Sequence, residues 1–345
     1  MGRRRGGELT APAGTAGAGA PAPIITFTPN PTVDLTTRVG RLEPGVKLRC
    51  AEPLVEPGGG GVNAARVVAE LGGRAHAVHT AGGPAGERLV AMVRARGVEA
   101  VAVPVAGETR QSFTVHEDAG GRLYRFVLPG PALAADEAEA CLRAVEDRLR
   151  PGAVVLASGS LPPDAPDDLI GRLARCVRDG GGRLLVDMAG APMRAALEAG
   201  VYLARFNRPE FEEYAGRELP DPDERMEAAR RLVADGRAEA VIATIGADGA
   251  LLAADGVAAH LRAPRVEADS PVGAGDSMMG AVCVGLAHGW GLRRACALGV
   301  AAAAAAHMTP GTGLCRREDV ARLYRTVTGE APPAPVGAAG AAAGA

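Results

Sequence analysis

This sequence contains few aromatic side chains, and its positive and negative charges nearly balance. Phenylalanine, tryptophan and tyrosine make up 3% of the 345 residues, which argues against a surface that stacks nucleic-acid bases. The formal net charge is −2 at pH 7, so no strong attraction to nucleic acid or to a membrane is expected. The composition therefore predicts a protein without either partner, and its 47% hydrophobic content allows a sizeable core.

Closely spaced cysteine pairs are also missing. The six cysteines include no C-x-x-C motif, so neither a zinc site nor a disulfide framework is indicated. Free thiols are typical of the reducing cytoplasm, where we expect the protein to act. We predict reduced core thiols at Cys50, Cys141, Cys176, Cys283, Cys296 and Cys315.

The sequence has no run of about 20 strongly apolar residues, so it predicts no transmembrane helix. The alanine-rich residues 297–308 are only weakly apolar and predict a buried soluble helix. Residues 1–23 and 331–345 are rich in Gly, Ala and Pro and predict disordered tails. We therefore expect one folded domain at residues 24–330.

The phosphate-binding motif of P-loop enzymes, G-x-x-x-x-G-K-[ST], is absent as well. Residues 57–66 instead read PGGGGVNAAR, in which four consecutive glycines precede Asn63 and a helical pattern. Consecutive glycines allow a ligand to approach the backbone and bind its N–H groups. Two alternatives remain open. One is a flexible linker, and the other is a dinucleotide-binding turn that fits G-x-G-x-x-G loosely, because Asn63 stands at the third glycine.

Short apolar runs alternate with helical patterns along most of the chain, which predicts a doubly wound α/β fold. Residues 32–56 and 108–128 instead alternate polar and apolar side chains. That pattern predicts antiparallel hairpins, which would form a small lid over the carboxyl ends of the strands, where ligands bind. The runs that predict buried strands of a parallel sheet are residues 24–28, 75–81, 153–158, 183–188 and 240–245.

The segment VGAGDSMMG places Asp276 directly behind a glycine turn and at the start of an apolar helix. The N–H groups of Gly273, Ala274 and Gly275, together with the helix N-terminus, predict an anion site that suits a phosphate. Asp276 would then lie beside the bound anion, where it would accept a proton. The alternative from these residues alone is that Asp276 is an ordinary helix N-cap.

Three further segments place polar residues where a ligand would be bound, and each has a purely structural alternative. Asp34 follows the first strand, where it would bind sugar hydroxyls or belong to a turn. Asn207 and Glu210 begin a helix, where they would hold Mg²⁺ or form a capping box. Residues 243–251 carry a glycine-rich turn between two strands, which would cover a nucleotide or form a plain hairpin.

The order of five motifs resembles that of the ribokinase-like PfkB carbohydrate kinases, over roughly residues 24–326. The motifs are PGGGGVNAAR, SGSLPP, NRPE, TIGADGA and VGAGDSMMGA. The resemblance implies a ribokinase-like fold with a small antiparallel β lid and ATP as the phosphate donor. It also implies Mg²⁺ bound with the ATP, and a homodimer that forms through the lid.

The resemblance also implies roles for individual residues. Asp276 would be the general base that accepts the proton of a sugar hydroxyl, and the N–H groups of Gly273, Ala274 and Gly275 would hold the transferring phosphoryl group. Residues implied to hold the sugar are Asp34, Gly59, Gly60, Asn63 and Ser160, and those implied to bind its phosphate are Lys47, Arg49 and Arg110. Residues implied at the nucleotide are Asn207, Thr244, Gly246, Gly249 and Gly275, and those implied at Mg²⁺ are Asn207 and Glu210.

The glycine run also bears on the substrate. Family members that phosphorylate fructose 1-phosphate or tagatose 6-phosphate usually have Gly-Gly-Lys-Gly there, whereas this chain has glycine at all of positions 58–61. The resemblance therefore implies that ATP phosphorylates fructose 6-phosphate to fructose 1,6-bisphosphate. The other two sugar phosphates are the alternatives.

The sequence departs from the family pattern at three positions. Pro271 stands where Thr is usual, Arg205 where Lys is usual, and Thr309 where Asn is often found. Each change would weaken the binding of ATP, so a sugar-phosphate-binding regulator without turnover is an alternative from another functional class. A dinucleotide-dependent oxidoreductase is the least favoured alternative.

Overall fold

The structure, a computed structural model, describes residues 20–267, 272–309 and 313–337. Within these residues the central sheet has nine strands, numbered in chain order and arranged β13-β12-β11-β10-β9-β8-β1-β4-β5. The strands are β1 (Ile24–Thr28), β4 (Ala75–Ala81), β5 (Glu99–Pro104), β8 (Val154–Ser158), β9 (Arg183–Asp187), β10 (Val201–Phe206), β11 (Ala238–Thr244), β12 (Ala250–Ala254) and β13 (Val257–Leu261).

Continuous apolar runs form the central strands because helices cover both faces of the sheet. Along β1, Ile24 packs into the core on one face, whereas Ile25 and Phe27 pack into the core on the other. The first face is covered by α1 (Gly60–Glu70), α2 (Gly83–Ala95), α8 (Ala274–Ala287), α9 (Leu292–His307) and α10 (Arg317–Thr328). The second face is covered by α3 (Ala135–Glu146), α4 (Leu169–Asp179), α5 (Gly190–Ala199), α6 (Arg208–Ala215) and α7 (Pro222–Ala234). The predicted doubly wound architecture is confirmed.

The sheet is parallel from β11 to β5, and its other edge is antiparallel. Strands β11 and β12 form a hairpin through a short 3-10 turn at Gly246–Asp248, and β13 pairs antiparallel with β12. The glycine-rich turn predicted at residues 243–251 is therefore a hairpin. It lies at the carboxyl end of β11, where a ligand would be bound.

Four strands outside the central sheet form the lid, in the order β3-β2-β6-β7. Pairs β2–β3 and β6–β7 are antiparallel, as predicted, whereas β2 and β6 pair in parallel. Strands β2 and β6 follow the parallel strands β1 and β5, so both leave the same edge of the central sheet in the same direction. The lid strands are β2 (Thr32–Val39), β3 (Leu54–Gly58), β6 (Arg110–Glu117) and β7 (Arg122–Val127).

The alanine-rich segment forms the buried helix α9, as predicted. No helix in the described ranges is long and apolar enough to cross a membrane. At the carboxyl end the packed chain continues past residue 330, because Val336 is 2% exposed and belongs to the core. Residues 1–19 and 338–345 of the predicted tails lie outside the described residues.

The prediction of six core thiols is wrong at two positions. Cys50 is exposed in the loop that connects β2 and β3, and Cys176 is partly exposed on α4. The other four cysteines are buried and free, as predicted.

Candidate active site

Two cavities meet at the carboxyl ends of the central strands. The lid cavity, about 390 Å³, lies between the lid and the first turns of α1 and α8, and its walls include Asp34, Asn63 and Asp276. The hairpin cavity, about 640 Å³, lies between the β11–β12 turn and helices α8 and α9. Arg205 and Gly275 line both cavities. A ligand in one cavity would therefore meet a ligand in the other at this shared wall.

The glycine turn before α8 places Asp276 at that wall. Gly273 is the N-cap of α8, with φ +78° in the left-handed region that favours glycine. Asp276 is three residues further, inside the first turn, and its Oδ2 accepts a hydrogen bond from Asn63 Nδ2 at 2.9 Å. The alternative that Asp276 is the N-cap is therefore wrong. Its carboxylate instead faces the lid cavity beside the helix N-terminus, which favours an anion.

Burial raises the pKa of Asp276 from 3.8 to about 6. The hydrogen bond from Asn63 and the charge of Arg205 act in the opposite direction, whereas the carboxylates of Asp187 and Asp34 raise the pKa further. Asp276 is therefore ionised at neutral pH but binds a proton more readily than an ordinary aspartate does. These are the properties that a general base needs.

The four consecutive glycines have an immediate structural reason. Gly58 ends β3, Gly59 is the N-cap of α1 with φ +107°, and Gly60 begins the helix. A Cβ atom at Gly59 would lie 2.8 Å from Thr28 Cγ2, and one at Gly58 or Gly60 would collide with the Asp34 carboxylate or the Ser158 hydroxyl. The run is therefore no flexible linker: it lets α1 begin against the sheet and brings Asn63 into the cavity.

Asp34 lies inside lid strand β2, opposite Glu56 and Ser112 on the neighbouring strands. The prediction had placed it in a turn or at the end of the first strand, but the chain passes from β1 into the lid within four residues. Burial raises the pKa of Asp34 to about 6, against the opposing effects of the Thr32 hydroxyl and three arginines. A carboxylate at this depth in the cavity suits the hydroxyl groups of a ligand.

Of the other residues predicted to bind the sugar phosphate, only some line the lid cavity. Arg110 lines the lid cavity, but its guanidinium donates to the carbonyl oxygens of Asn30, Pro31 and Leu128, which leaves two of its five N–H groups. Ser160 accepts from Asn30 Nδ2 at 3.1 Å, and its neighbours Ser158 and Gly159 line the cavity. Lys47 and Arg49 are exposed on the β2–β3 loop and do not line the lid cavity of their own chain.

Asp187 is a site residue that the sequence did not assign, whereas Arg205 was noted there only as the replacement of a lysine that is usual in the family. Arg205 Nη1 lies 3.0 Å from Asp187 Oδ1 and 3.8 Å from Glu210 Oε2, and Nη2 donates to Thr244 Oγ1 at 3.3 Å. A Cβ atom on Gly275 would lie 3.3 Å from Arg205 Nη1, so the guanidinium lies directly against the glycine turn. Both residues lie at or near the carboxyl ends of parallel strands, where ligands bind in α/β sheets, and this position in the sequence could have indicated a role in the site.

Asn207 and Glu210 form the capping box of α6. Asn207 Oδ1 accepts from the Glu210 backbone N–H, and Glu210 Oε2 accepts from the Asn207 backbone N–H. Glu210 also lines the lid cavity, whereas Asn207 lines neither cavity. Burial raises the pKa of Glu210, and the Asn207 N–H and Arg205 oppose that effect.

In the described part of the chain, no three His, Cys, Asp or Glu side chains are arranged to hold a metal ion. The Asp187 and Glu210 carboxylates both lie within 4 Å of the same nitrogen of Arg205. One or two carboxylates of this kind, completed by phosphate oxygens and water, form the usual environment of Mg²⁺ in phosphate-transferring sites. The donor set therefore fits a Mg²⁺ ion that arrives with a nucleotide.

The hairpin cavity has the lining that a nucleotide base and ribose would need. Its polar rim carries Thr244, Gly246 and Gly249, all predicted at the nucleotide, and its wall carries the apolar Met278 and Val300. Of the departures from the family pattern, Thr309 lies just beyond the end of α9, and Pro271 lies outside the described residues.

Comparison with known proteins agrees with this geometry. The family model described as "pfkB family carbohydrate kinase" matches residues 29–319. The ATP-dependent 6-phosphofructokinase isozyme 2 of Mycobacterium tuberculosis (strain CDC 1551 / Oshkosh) is 42% identical over 301 residues, which cover 87% of this chain and 88% of that protein. A 1-phosphofructokinase of Xanthomonas campestris pv. campestris is 35% identical over 271 residues, which cover 76% of this chain and 83% of its own.

A solved structure of a phosphofructokinase also agrees in shape with this chain. A crystal structure of phosphofructokinase-2 from Escherichia coli in complex with fructose-6-phosphate has a TM-score of 0.84 at 37% identity, and covers 89% of this chain and 99% of its own. The ribokinase-like fold that the sequence motifs implied is thereby confirmed. The chain belongs to the pfkB family of carbohydrate kinases.

Proposed function

We propose that this protein transfers the γ-phosphoryl group of ATP to fructose 6-phosphate and produces fructose 1,6-bisphosphate and ADP. The observation that carries the proposal is the position of Asp276. Its carboxylate faces the lid cavity, hydrogen-bonded to Asn63, and it follows directly the glycine turn that both cavities share. A sugar in the lid cavity and a triphosphate in the hairpin cavity would meet at this carboxylate.

The residues of the wall suit an in-line transfer. Asp276 accepts the proton of the sugar hydroxyl, the oxygen forms a bond to the γ-phosphorus, and the bond from that phosphorus to the bridging oxygen breaks. The electron pair of the broken bond stays with the departing ADP. The N–H groups of the glycine turn and the guanidinium of Arg205 offset the charge on the transferring group.

The sugar side of the site follows from the lid. Asp34 holds ring or chain hydroxyls, and Asn63 and the backbone of Gly59 and Gly60 complete the contacts. Mg²⁺ would be held by the nucleotide phosphates with Glu210 and Asp187 on the protein side, where it would neutralise phosphate charge. Asn207 would support this site by fixing Glu210 through the capping box.

The first experiment measures ADP release with Mg-ATP and, in separate reactions, fructose 6-phosphate, fructose 1-phosphate, tagatose 6-phosphate and unphosphorylated fructose. We expect the highest kcat/KM with fructose 6-phosphate. A higher value with either of the other sugar phosphates would replace the substrate but leave the role of Asp276 intact. ADP release with none of the four would contradict the enzymatic proposal.

The second candidate is a 1-phosphofructokinase, which the similarity to the Xanthomonas campestris enzyme of that name supports. A tagatose-6-phosphate kinase would use the same residues. The four glycines at 58–61 favour the first candidate, because the kinases of fructose 1-phosphate and tagatose 6-phosphate usually have Gly-Gly-Lys-Gly at this run.

The lid supports a homodimer. Its exposed apolar side chains outside the cavity include Val46, Leu54 and Leu128, and such side chains are costly to leave in water. The loop that bears Lys47 and Arg49 connects two strands of the same lid, and neither cation lines the cavity of its own chain. We therefore propose that the lids pair and that these two cations reach the sugar phosphate bound by the neighbouring subunit. The proposed location is the cytoplasm.

Lys47 is the only lysine in the sequence, although lysine and arginine together number 38. Its ammonium group would present a compact, rotatable point charge to the sugar phosphate, unlike the planar fork of an arginine. We expect Lys47→Ala to raise the KM for fructose 6-phosphate about 10- to 100-fold with a much smaller change in kcat, as is typical of a lost contact to a charged group.

The matched control is Arg41→Ala, which removes a cation from the exposed segment after β2. It is expected to leave the KM unchanged. An amine-specific reagent adds a second test, since Lys47 and the α-amino group are its only targets. Fructose 6-phosphate is expected to protect Lys47 from modification, and equal modification with and without the sugar would contradict its role.

A further inference from the structure

A continuous chain of polar contacts connects the lid to the candidate base. Glu56 on β3 accepts from Arg66 Nη2 at 2.8 Å, and Arg66 Nη1 donates to Asn63 Oδ1 at 3.0 Å. Asn63 Nδ2 in turn donates to Asp276 Oδ2 at 2.9 Å. Arg66 Nη1 also donates to the Pro57 carbonyl at 2.9 Å, so the guanidinium is fixed by the strand that carries Glu56.

Arg66 is buried in the wall of the lid cavity, and its guanidinium donates to Glu56, Pro57 and Asn63. Its side chain is 8% exposed and that of Glu56 is 11% exposed. A buried ion pair is retained at a cost in desolvation, and replacement by apolar residues is often neutral for stability. Stability alone therefore does not explain this buried pair. Asn63 connects it to Asp276, because Asn63 accepts from Arg66 and donates to Asp276.

The oxygen of the Asn63 amide accepts hydrogen bonds and the NH₂ group donates them, and the bond from Arg66 fixes which of the two faces Asp276. The oxygen end accepts from a cation that is always charged, so the NH₂ end points to Asp276 whether or not Asp276 carries a proton. An amide free to rotate would turn its oxygen toward a protonated carboxyl group and stabilise that form. A locked amide donates only, and donation favours the ionised carboxylate.

We propose that Arg66 is a positioning residue that locks the Asn63 amide toward Asp276 and thereby keeps the base ionised, with Glu56 anchoring Arg66 from the lid. The inference rests on the proposed function of Asp276 as the general base. The effect of Arg66 on the Asn63 amide and on the protonation of Asp276 can be measured without turnover.

Other groups also face Asp276, and the test leaves them in place. Arg205 from β10 lowers the pKa of Asp276, and Asp187 from β9 and Asp34 from β2 raise it. Glu56 has a second cation nearby, because Arg96 Nη2 lies 3.5 Å from the same carboxylate oxygen. Arg96 is half exposed and stands behind Glu56, which makes Arg96→Gln the matched control.

The experiment uses selective ¹⁵N labelling of asparagine, since the chain contains three asparagines, Asn30, Asn63 and Asn207. The side-chain NH₂ signals are assigned with single substitutions and followed between pH 4 and 9. In the wild type we expect the Asn63 signals to shift with a midpoint near pH 6, the value of the Asp276 carboxyl group. Arg66→Gln is expected to move this midpoint up by about 1 pH unit, because the donated hydrogen bond is weakened.

Kinetics supply the second readout. The pH at which kcat/KM for fructose 6-phosphate falls on the acid side depends on both Asp276 and Asp34, and it is expected to move up in Arg66→Gln. Arg96→Gln is expected to leave this pH and the NMR midpoint where they are in the wild type. In an Asn63→Ala background, Arg66→Gln is expected to cause a smaller shift than in the wild type, because the effect that passes through the amide is already lost and only the effect of the Arg66 charge on Asp34 remains. An unchanged Asn63 midpoint in folded Arg66→Gln would overturn the proposal, as would an additive shift in the double variant.

Arg66→Gln leaves the Glu56 charge buried and would destabilise the fold. The double variant Glu56→Gln/Arg66→Gln removes both charges and keeps the inference testable, with the same expected shift. If Arg66→Gln moves the NMR midpoint but the wild type turns over no sugar phosphate, the proposed function fails while the positioning role stands. If it turns over fructose 6-phosphate and Arg66→Gln shifts nothing, only the positioning role fails.

Discussion

Replacement of Asp276 by Asn is expected to lower kcat about 10²- to 10⁴-fold, the usual contribution of a general base, while the protein still folds and binds fructose 6-phosphate. Asparagine keeps the shape of the side chain and an oxygen that accepts from Asn63 Nδ2. It does not accept the proton of a sugar hydroxyl. Steady-state kinetics and calorimetric titration with fructose 6-phosphate measure the two effects separately.

The same substitution has an expected effect on stability with a defined sign. The pKa of Asp276 is raised on folding from 3.8 to about 6, so the folded protein binds protons more tightly than the unfolded chain does. The contribution of Asp276 to the free energy of unfolding therefore becomes less favourable as the pH rises from about 4 to 6. Above pH 6 the ionised carboxylate lowers the free energy of unfolding by its full amount, up to about 3 kcal/mol. Asp276→Asn removes that cost, so its melting temperature at pH 8 is expected to equal or exceed that of the wild type.

The pH dependence of turnover follows from the same group. Because the base must be ionised, kcat/KM is expected to fall as the pH decreases through about 6. Asp34 has a similarly raised pKa, so the fall of kcat/KM at acid pH depends on both carboxyl groups rather than on Asp276 alone. Wild-type turnover by Asp276→Asn would contradict the role of Asp276 as base.

Replacement of Arg205 by Met is the second substitution with a large expected effect. The guanidinium pairs with Asp187 and lies against the glycine turn, so its loss removes a cation from the transferring phosphoryl group. We expect kcat/KM for ATP to fall at least about 100-fold. The buried Asp187 carboxylate loses its partner, which is expected to cost about 3–5 kcal/mol in the free energy of unfolding.

Two companion variants separate charge from shape. Arg205→Lys keeps a cation at the position where related kinases usually have lysine, and it is expected to retain activity within about tenfold. Arg208→Met removes the exposed arginine at the start of α6, which pairs only with Glu212 among the contacts described, and should leave the kinetics unchanged. Equal activity of Arg205→Met and the wild type would show that Arg205 takes no part in the reaction.

The central architecture was predictable because its signals are local. The buried strand at Ile24–Thr28 is a run of apolar and β-branched residues, and a run of this kind fits a strand covered on both faces. The glycine turn before Asp276 was predictable for the same reason, since its backbone conformation is favoured by glycine at that position. The motif order then connected these local signals to a known family.

The pairing within the site was not predictable, because it depends on contacts between distant parts of the chain. Nothing near Arg66 in the sequence indicates that it bridges Glu56 and Asn63. Arg205 and Asp187 lie 18 residues apart and meet only because β9 and β10 are adjacent parallel strands. Asn207 shows the reverse case, in which the local motif left a Mg²⁺ ligand and a capping box open and the structure forms the capping box.

The most direct test of the central claim is the ³¹P NMR spectrum of the product formed from fructose 6-phosphate and Mg-ATP. We expect the signal of fructose 6-phosphate to be replaced by the two signals of fructose 1,6-bisphosphate, in step with the appearance of ADP. Release of inorganic phosphate with unchanged fructose 6-phosphate, or no change in either compound, would contradict it.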